Sequence, residues 1–121
     1  MGLSVKFYIQ KNNIFIRLIG ELDQENVGNL RDKLIQIIKE RNVKNVVFNM
    51  KELTFMDSTG IGIIIGRYNQ VKQKNGKVLL CNISNEIQKI VLLSGLARIC
   101  LICDTEDDTK ILLEENKCIM S

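Results

Sequence analysis

Two short β-branched, apolar runs open the chain. Val5-Lys6-Phe7-Tyr8-Ile9 and Ile14-Phe15-Ile16-Arg17-Leu18-Ile19 flank the polar Lys11-Asn12-Asn13, a pattern that predicts a β-hairpin. Gly20-Glu21-Leu22-Asp23 closes the second strand, and Asp23 is placed as the N-cap of a first helix with Glu25 in its opening turn. Val27, Leu30, Leu34, Ile37 and Ile38 recur at helical spacing up to about Arg41, so this helix should lay an apolar stripe on a sheet. Val46 to Met50 is a short strand. A polar turn and a second helix come next, and Asn75-Gly76 stops that helix. Lys77 to Cys81 reads as a strand buried on both faces. Ile87, Ile90 and Val91 mark a third helix ending near Ser94-Gly95, and Ile99 to Cys103 is a continuously apolar, buried last strand. Thr105-Glu106-Asp107-Asp108 forms a capping box before a final helix carrying Ile111, Leu112 and Leu113. Strand and helix alternate after the hairpin. The class is therefore α/β, with a small, mixed, mostly parallel sheet, an N-terminal β-hairpin and about four helices.

Loops at the carboxyl ends of parallel strands are where such folds build sites. Gly20-Glu21-Leu22-Asp23 and Asp57-Ser58-Thr59-Gly60 both join a strand to a helix, which places them at one edge. On a helical wheel, Ile61, Ile64, Ile65, Tyr68 and Val71 form the core stripe of the second helix. Ile63 points the other way, with Gly62 and Gly66 beside it. Interior glycine costs a helix about 1 kcal/mol relative to alanine. An outward isoleucine between two glycines makes a shallow apolar place for another molecule; close packing of the helix on its own sheet is the competing reading.

Composition narrows the chemistry. At 121 residues, 45% hydrophobic and 26% charged, the chain suits one globular domain. No apolar run approaches the roughly 20 residues of a membrane span. The start, MGLSVKF, lacks the features of a signal peptide, so a cytoplasmic location is expected. A net charge of +3 from scattered lysines, with 5% aromatics, argues against a nucleic-acid surface. There is no histidine, which removes the commonest general base and metal ligand. Of the four cysteines, Cys100 and Cys103 stand three apart in a strand and so point to opposite faces, and Cys81 and Cys118 supply no second close pair. Reduced, packing cysteines are expected, with no metal and no cofactor.

Ser58 admits several chemical readings. It can cap the helix. As a nucleophile it lacks a base, with no lysine in the motif nearer than Lys51. As part of a phosphate-binding loop it fails, because Gly60-x-Gly62-x-x-x-Gly66 misses the dinucleotide spacing by one residue and no G-K-[ST] is present. It can also be phosphorylated.

Over nearly its whole length the sequence resembles the bacterial anti-anti-sigma factors of the STAS domain family, particularly the branch that serves sporulation. The resemblance is carried by Ile16-Arg17-Leu18-Ile19-Gly20-Glu21-Leu22-Asp23, by Leu53-Thr54-Phe55-Met56-Asp57-Ser58-Thr59-Gly60-Ile61-Gly62 through Gly66-Arg67-Tyr68, and by Ser94-Gly95-Leu96. It implies a single STAS-like domain over residues 1–121 and a transcription-regulating switch protein rather than an enzyme. The unmodified form would bind an anti-sigma factor that is also a serine kinase and so free a sigma factor. That kinase would phosphorylate Ser58, the first hydroxyl of D-S-[ST]-G, and a serine phosphatase would reset it. Asp23 and Glu21 carry over as partner-facing residues; Asp57, Thr59, Gly60, Gly62, Ile63 and Gly66 complete the expected partner-binding set. The free protein is expected to be a monomer. A STAS module of a stress-signalling assembly and a small serine hydrolase or transferase are the alternatives.

Overall fold

The structure, a computed structural model, describes residues 2–120, with side chains described over 2–115. Strands β1 (Leu3–Gln10), β2 (Asn13–Leu22), β3 (Asn45–Met56), β4 (Val78–Cys81) and β5 (Leu101–Cys103) form one sheet in the order β1-β2-β3-β4-β5. The β1–β2 hairpin is antiparallel and every later pairing is parallel, as the alternation of elements predicts. Among the described residues five helices accompany it: α1 (Leu30–Glu40), α2 (Ser58–Lys72), α3 (Asn85–Leu93), the short α4 (Leu96–Ile99) and α5 (Glu106–Met120).

Because the parallel strands are consecutive in sequence, right-handed crossovers put the helices between them on one face. Leu34, Ile38, Ile64, Val71, Ile87 and Val91 accordingly share a core with Ile14, Ile16, Val46 and Phe48. The opposite strand faces, Phe15, Val47, Leu79 and Cys81, are met by Leu113 of α5. The period of two along β2 thus sends Ile14 and Ile16 to one core and Phe15 to the other. On the α5 side, the Glu106 carboxylate accepts from Arg17 at 2.8 Å, from the Tyr8 hydroxyl at 2.6 Å and from Asn49 at 3.1 Å. The Tyr8 and Phe15 rings stack there at 4.9 Å.

Three expectations require correction. Asp23 does not cap α1. Its Oδ1 accepts from the Asn26 N–H at 2.9 Å and Nδ2 at 2.8 Å, which closes a turn, and the helix begins only at Leu30 after Gly28 adopts φ +53°. Glu25 consequently sits in that turn. The last strand is not buried: Leu101 and Ile102 are 39% and 49% exposed because β5 is the sheet edge, with no strand beyond it among the described residues. Cys100 lies outside that strand, buried at the end of α4. Cys118, expected as a reduced packing cysteine, lies outside the residues with described side chains. The expected capping box of α5 is present, with Thr105 Oγ1 accepting from the Asp108 N–H at 3.1 Å and Asp108 Oδ2 from the Thr105 N–H at 3.2 Å.

Candidate functional site

The carboxyl ends of β2 and β3 lie side by side, with Leu22 opposite Met56. Two register irregularities, between Arg17 and Ile19 and between Gly20 and Glu21, precede that pairing. Such irregularities bend strands and re-aim the side chains beyond them. The loops leaving the two strands are then stitched together. The Asp57 N–H donates to the Leu22 carbonyl at 3.3 Å, and Asp57 Oδ2 accepts from the Gln24 N–H at 3.2 Å. Gly60 is buried under the same carbonyl: a Cβ there would stand 2.7 Å from the Leu22 oxygen and 2.7 Å from Met56 Cγ. Only glycine permits that approach, and Gly60, expected to face a partner, is instead buried between the two loops.

The helix cap is Asp57. Its Oδ1 accepts from the Thr59 N–H at 2.9 Å and the Gly60 N–H at 3.4 Å, with Asp57 in extended backbone. Ser58, the first residue of α2, is exposed and takes no part in the cap. Of the three polar residues of D-S-T-G, one therefore holds the helix, and the hydroxyl next to it is left to solvent. Thr59 is half-buried. Glu21 and Asp23 are half-buried at the same edge, the Asp23 carboxylate turned into its own turn.

The orientation of α2 corrects the helical-wheel reading. Its buried residues are Gly60, Ile63, Ile64, Arg67 and Val71. Ile63 is 3% exposed and belongs to the core, so it presents nothing to a partner. Ile61, Ile65 and Tyr68 flank the core rather than fill it. The helix is apolar on nearly every side, so hydrophobicity alone could not fix its rotation. Gly60 fixes it, and Arg67 goes inside with it at 3% exposure, where burial lowers the guanidinium pKa and Arg31 adds repulsion. The outward stripe is instead Ser58, Gly62, Gly66 and Asn69, with Gly62 and Asn69 exposed and Gly66 half-buried. A Cβ at either Gly62 or Gly66 would meet nothing within 4 Å.

Phe55 is a residue the sequence reasoning missed. It is 46% exposed and pairs in register with Glu21, three positions before Ser58. Strict alternation along β3 would have put Phe55 on the buried face with Leu53; instead Leu53 and Met56 are buried while Thr54 and Phe55 are not, so the sequence carried no signal for it.

A cavity of about 460 Å³ lies on the α5 side between Arg17, Asn49, Lys51, Glu52 and Glu106, and none of its lining residues belongs to the Asp57–Gly60 turn. Glu106 is held down to about 2 there, chiefly by the hydrogen bonds from Arg17 against the opposing pull of burial, with Tyr8 and Asn49 assisting. Among the described residues no group of three or more His, Cys, Asp or Glu side chains is placed to hold a metal, and no helix is long and apolar enough to cross a membrane.

Residues 4–109 match the STAS domain family. The anti-sigma F factor antagonist of Paenibacillus polymyxa is 32% identical over 114 residues, which covers 94% of this chain and 97% of that protein. The structure of the anti-sigma factor antagonist SpoIIAA in its unphosphorylated form superposes with a TM-score of 0.83 at 28% identity, over 93% of this chain and 97% of the other. The Bacillus cell fate determinant SpoIIAA in its phosphorylated form gives a TM-score of 0.73 at 29% identity, over 91% of this chain and 99% of the other. With a mixed five-stranded sheet, a polar turn capping α2 and a family match across most of its length, the chain belongs to the STAS domain family.

Proposed function

We propose that this chain is an anti-sigma factor antagonist, acting as one domain, whose binding is switched by phosphorylation of Ser58. The observation that carries the reading is the division of labour in the α2 turn: Asp57 makes the cap and Ser58 stands exposed beside it. A hydroxyl so placed can be modified without loss of the hydrogen bonds that start the helix. Unphosphorylated, the edge formed by Glu21, Asp23, Phe55 and the turn at Thr59 binds an anti-sigma factor that is itself a serine kinase, and the sigma factor is released. Phe55 supplies the aromatic anchor that interfaces favour, and Gly62 and Gly66 let the partner's backbone lie close to α2.

Phosphorylation adds a charge of about −1.5 to −2. At a helix N-terminus the free N–H groups and the dipole tolerate that charge, so the fold persists. The Asp57 carboxylate adjoins it, and the partner surface becomes bulkier and more anionic. A serine phosphatase restores the binding form. The names of the relatives, and the existence of SpoIIAA in unphosphorylated and phosphorylated forms, support the switch. An enzymatic role for Ser58 has little support, because the chain contains no histidine to serve as its base.

Incubation with ATP and the cognate anti-sigma kinase should place one phosphate on Ser58, and Ser58→Ala should take none. Ser58→Asp should keep its thermal transition and lose most partner affinity. Undiminished labelling of Ser58→Ala, or unfolding of Ser58→Asp, would defeat the proposal.

A further inference from the structure

Cys81 and Cys103 are the last residues of β4 and β5, and they are register partners in the parallel ladder. Neighbouring strands run about 4.8 Å apart, within the Cα separation of about 4.4–6.8 Å that a disulfide spans. Both thiols lie on the α5 face: Cys81 is buried in the cluster of Phe15, Val47, Leu79 and Leu113, and Cys103 packs against that cluster. Cys100, by contrast, belongs to the core on the other side of the sheet. Along the chain Cys81 has no near cysteine neighbour. The sheet supplies one.

From this juxtaposition we infer that Cys81 and Cys103 form an oxidisable dithiol, closed to a disulfide by a low-molecular-weight disulfide. All three thiols with described side chains, Cys81, Cys100 and Cys103, are free. Cys103 is the half-buried entry point and Cys81 the buried resolving thiol. The Cys103 thiolate attacks one sulfur of the oxidant, forming a mixed disulfide and expelling one thiolate. The Cys81 thiolate then attacks Cys103 Sγ, closes the bridge and expels the second. Two protons pass from the cysteines to the leaving thiolates, and two electrons reduce the oxidant to two thiols.

Both strands end at these residues, and the two chains stay side by side beyond them. Immediately beyond, Asn82 takes φ +56° and donates its N–H to the Asp104 carbonyl at 3.0 Å. A metal is not the better occupant, since no third ligand is placed beside the pair among the described residues. Burial pushes the Cys81 thiol up to about 12, with Glu106 and Cys103 adding to the effect. Burial also raises Cys103, followed by Asp108 and Asp104. Few thiolates are present at neutral pH, so closure is slow there and quickens as pH rises. In a reducing compartment such a bond is a transient, stress-dependent state. Its structural effect is to pin the three-residue edge strand β5 to β4.

The test is incubation of the full chain with oxidised glutathione, followed by intact-mass measurement, peptide mapping and thermal unfolding. Loss of two hydrogens, a Cys81–Cys103 cross-linked peptide and a Tm raised by roughly 10 °C are expected. Cys103→Ser should show none of these, while Cys100→Ser and Cys118→Ser should behave as the parent chain. A bridge to Cys100 or Cys118, a bridge between two copies, a mixed disulfide on Cys103 that never closes, or absence of oxidation would each overturn the inference.

Discussion

Replacing Gly62 and Gly66 together with alanine tests the outward face of α2 in both directions. Neither glycine has a positive φ, and an added Cβ at either meets open space. Within the isolated chain, alanine is then favoured by helix propensity alone, about 0.5–1 kcal/mol per position. Each gain is a local backbone effect at its own position, so the pair should give about 1–2 kcal/mol. For 121 residues the unfolding entropy is about 0.25 kcal/mol/K, so Tm should rise by roughly 4–8 °C. Partner binding should move the other way. Two methyl groups on the stripe leading from Ser58 would hold the partner's backbone off the helix, and calorimetric titration with the anti-sigma factor should show affinity falling tenfold or more. A lower Tm would show that the glycines face the fold. A raised Tm with unchanged affinity would show that nothing docks there.

Ile63→Ala should destabilise by about 2–4 kcal/mol in urea unfolding, the range for a fully buried isoleucine, without a direct effect on the partner surface; a loss under about 1 kcal/mol would contradict its 3% exposure. Asp57→Ala removes acceptors for the Thr59, Gly60 and Gln24 N–H groups. It should cost about 1–2 kcal/mol and speed amide exchange at Gln24 as well as in the first turn of α2; exchange confined to α2 would show that the loops are not coupled. Glu106, whose ordinary value is 4.5, is held down to about 2, so its contribution is fully present above about pH 4.5 and is lost as pH falls towards 2. Arg17 is half exposed, which limits that contribution to about 1–2 kcal/mol. Glu106→Gln should flatten the acid limb of the stability profile by that amount, and an unchanged limb would show that the Arg17 pair is inert.

The hairpin, the alternation of strands and helices and the α5 capping box were legible because each depends on near neighbours. Asn75-Gly76 and Thr105 to Asp108 carry their turn and cap chemistry within a few residues. The edge that holds Ser58 was legible too, since two strand-to-helix loops in adjacent parallel strands must emerge on the same side. The rotation of α2 was not. Ile61, Ile63, Ile64 and Ile65 give nearly equal apolarity around the helix, and Arg67 is buried with them despite its charge. Their directions are set by Gly60 fitting beneath a carbonyl of another strand.

The same distinction governs the start of α1, the exposure of β5 and the thiols. Asp23 is a fit cap by residue type, but its carboxylate is taken by Asn26. Leu101 and Ile102 read as interior by composition, and only their position at the end of the strand order leaves them exposed. Cys81 and Cys103 are far apart along the chain and adjacent across the ladder. Sequence alone determined whatever local hydrogen bonding and side-chain period can specify: the elements, their order and the polar turn with its hydroxyl. Tertiary structure decided which faces are inside and which distant residues touch, because those depend on close fit between segments that carry no mark of one another.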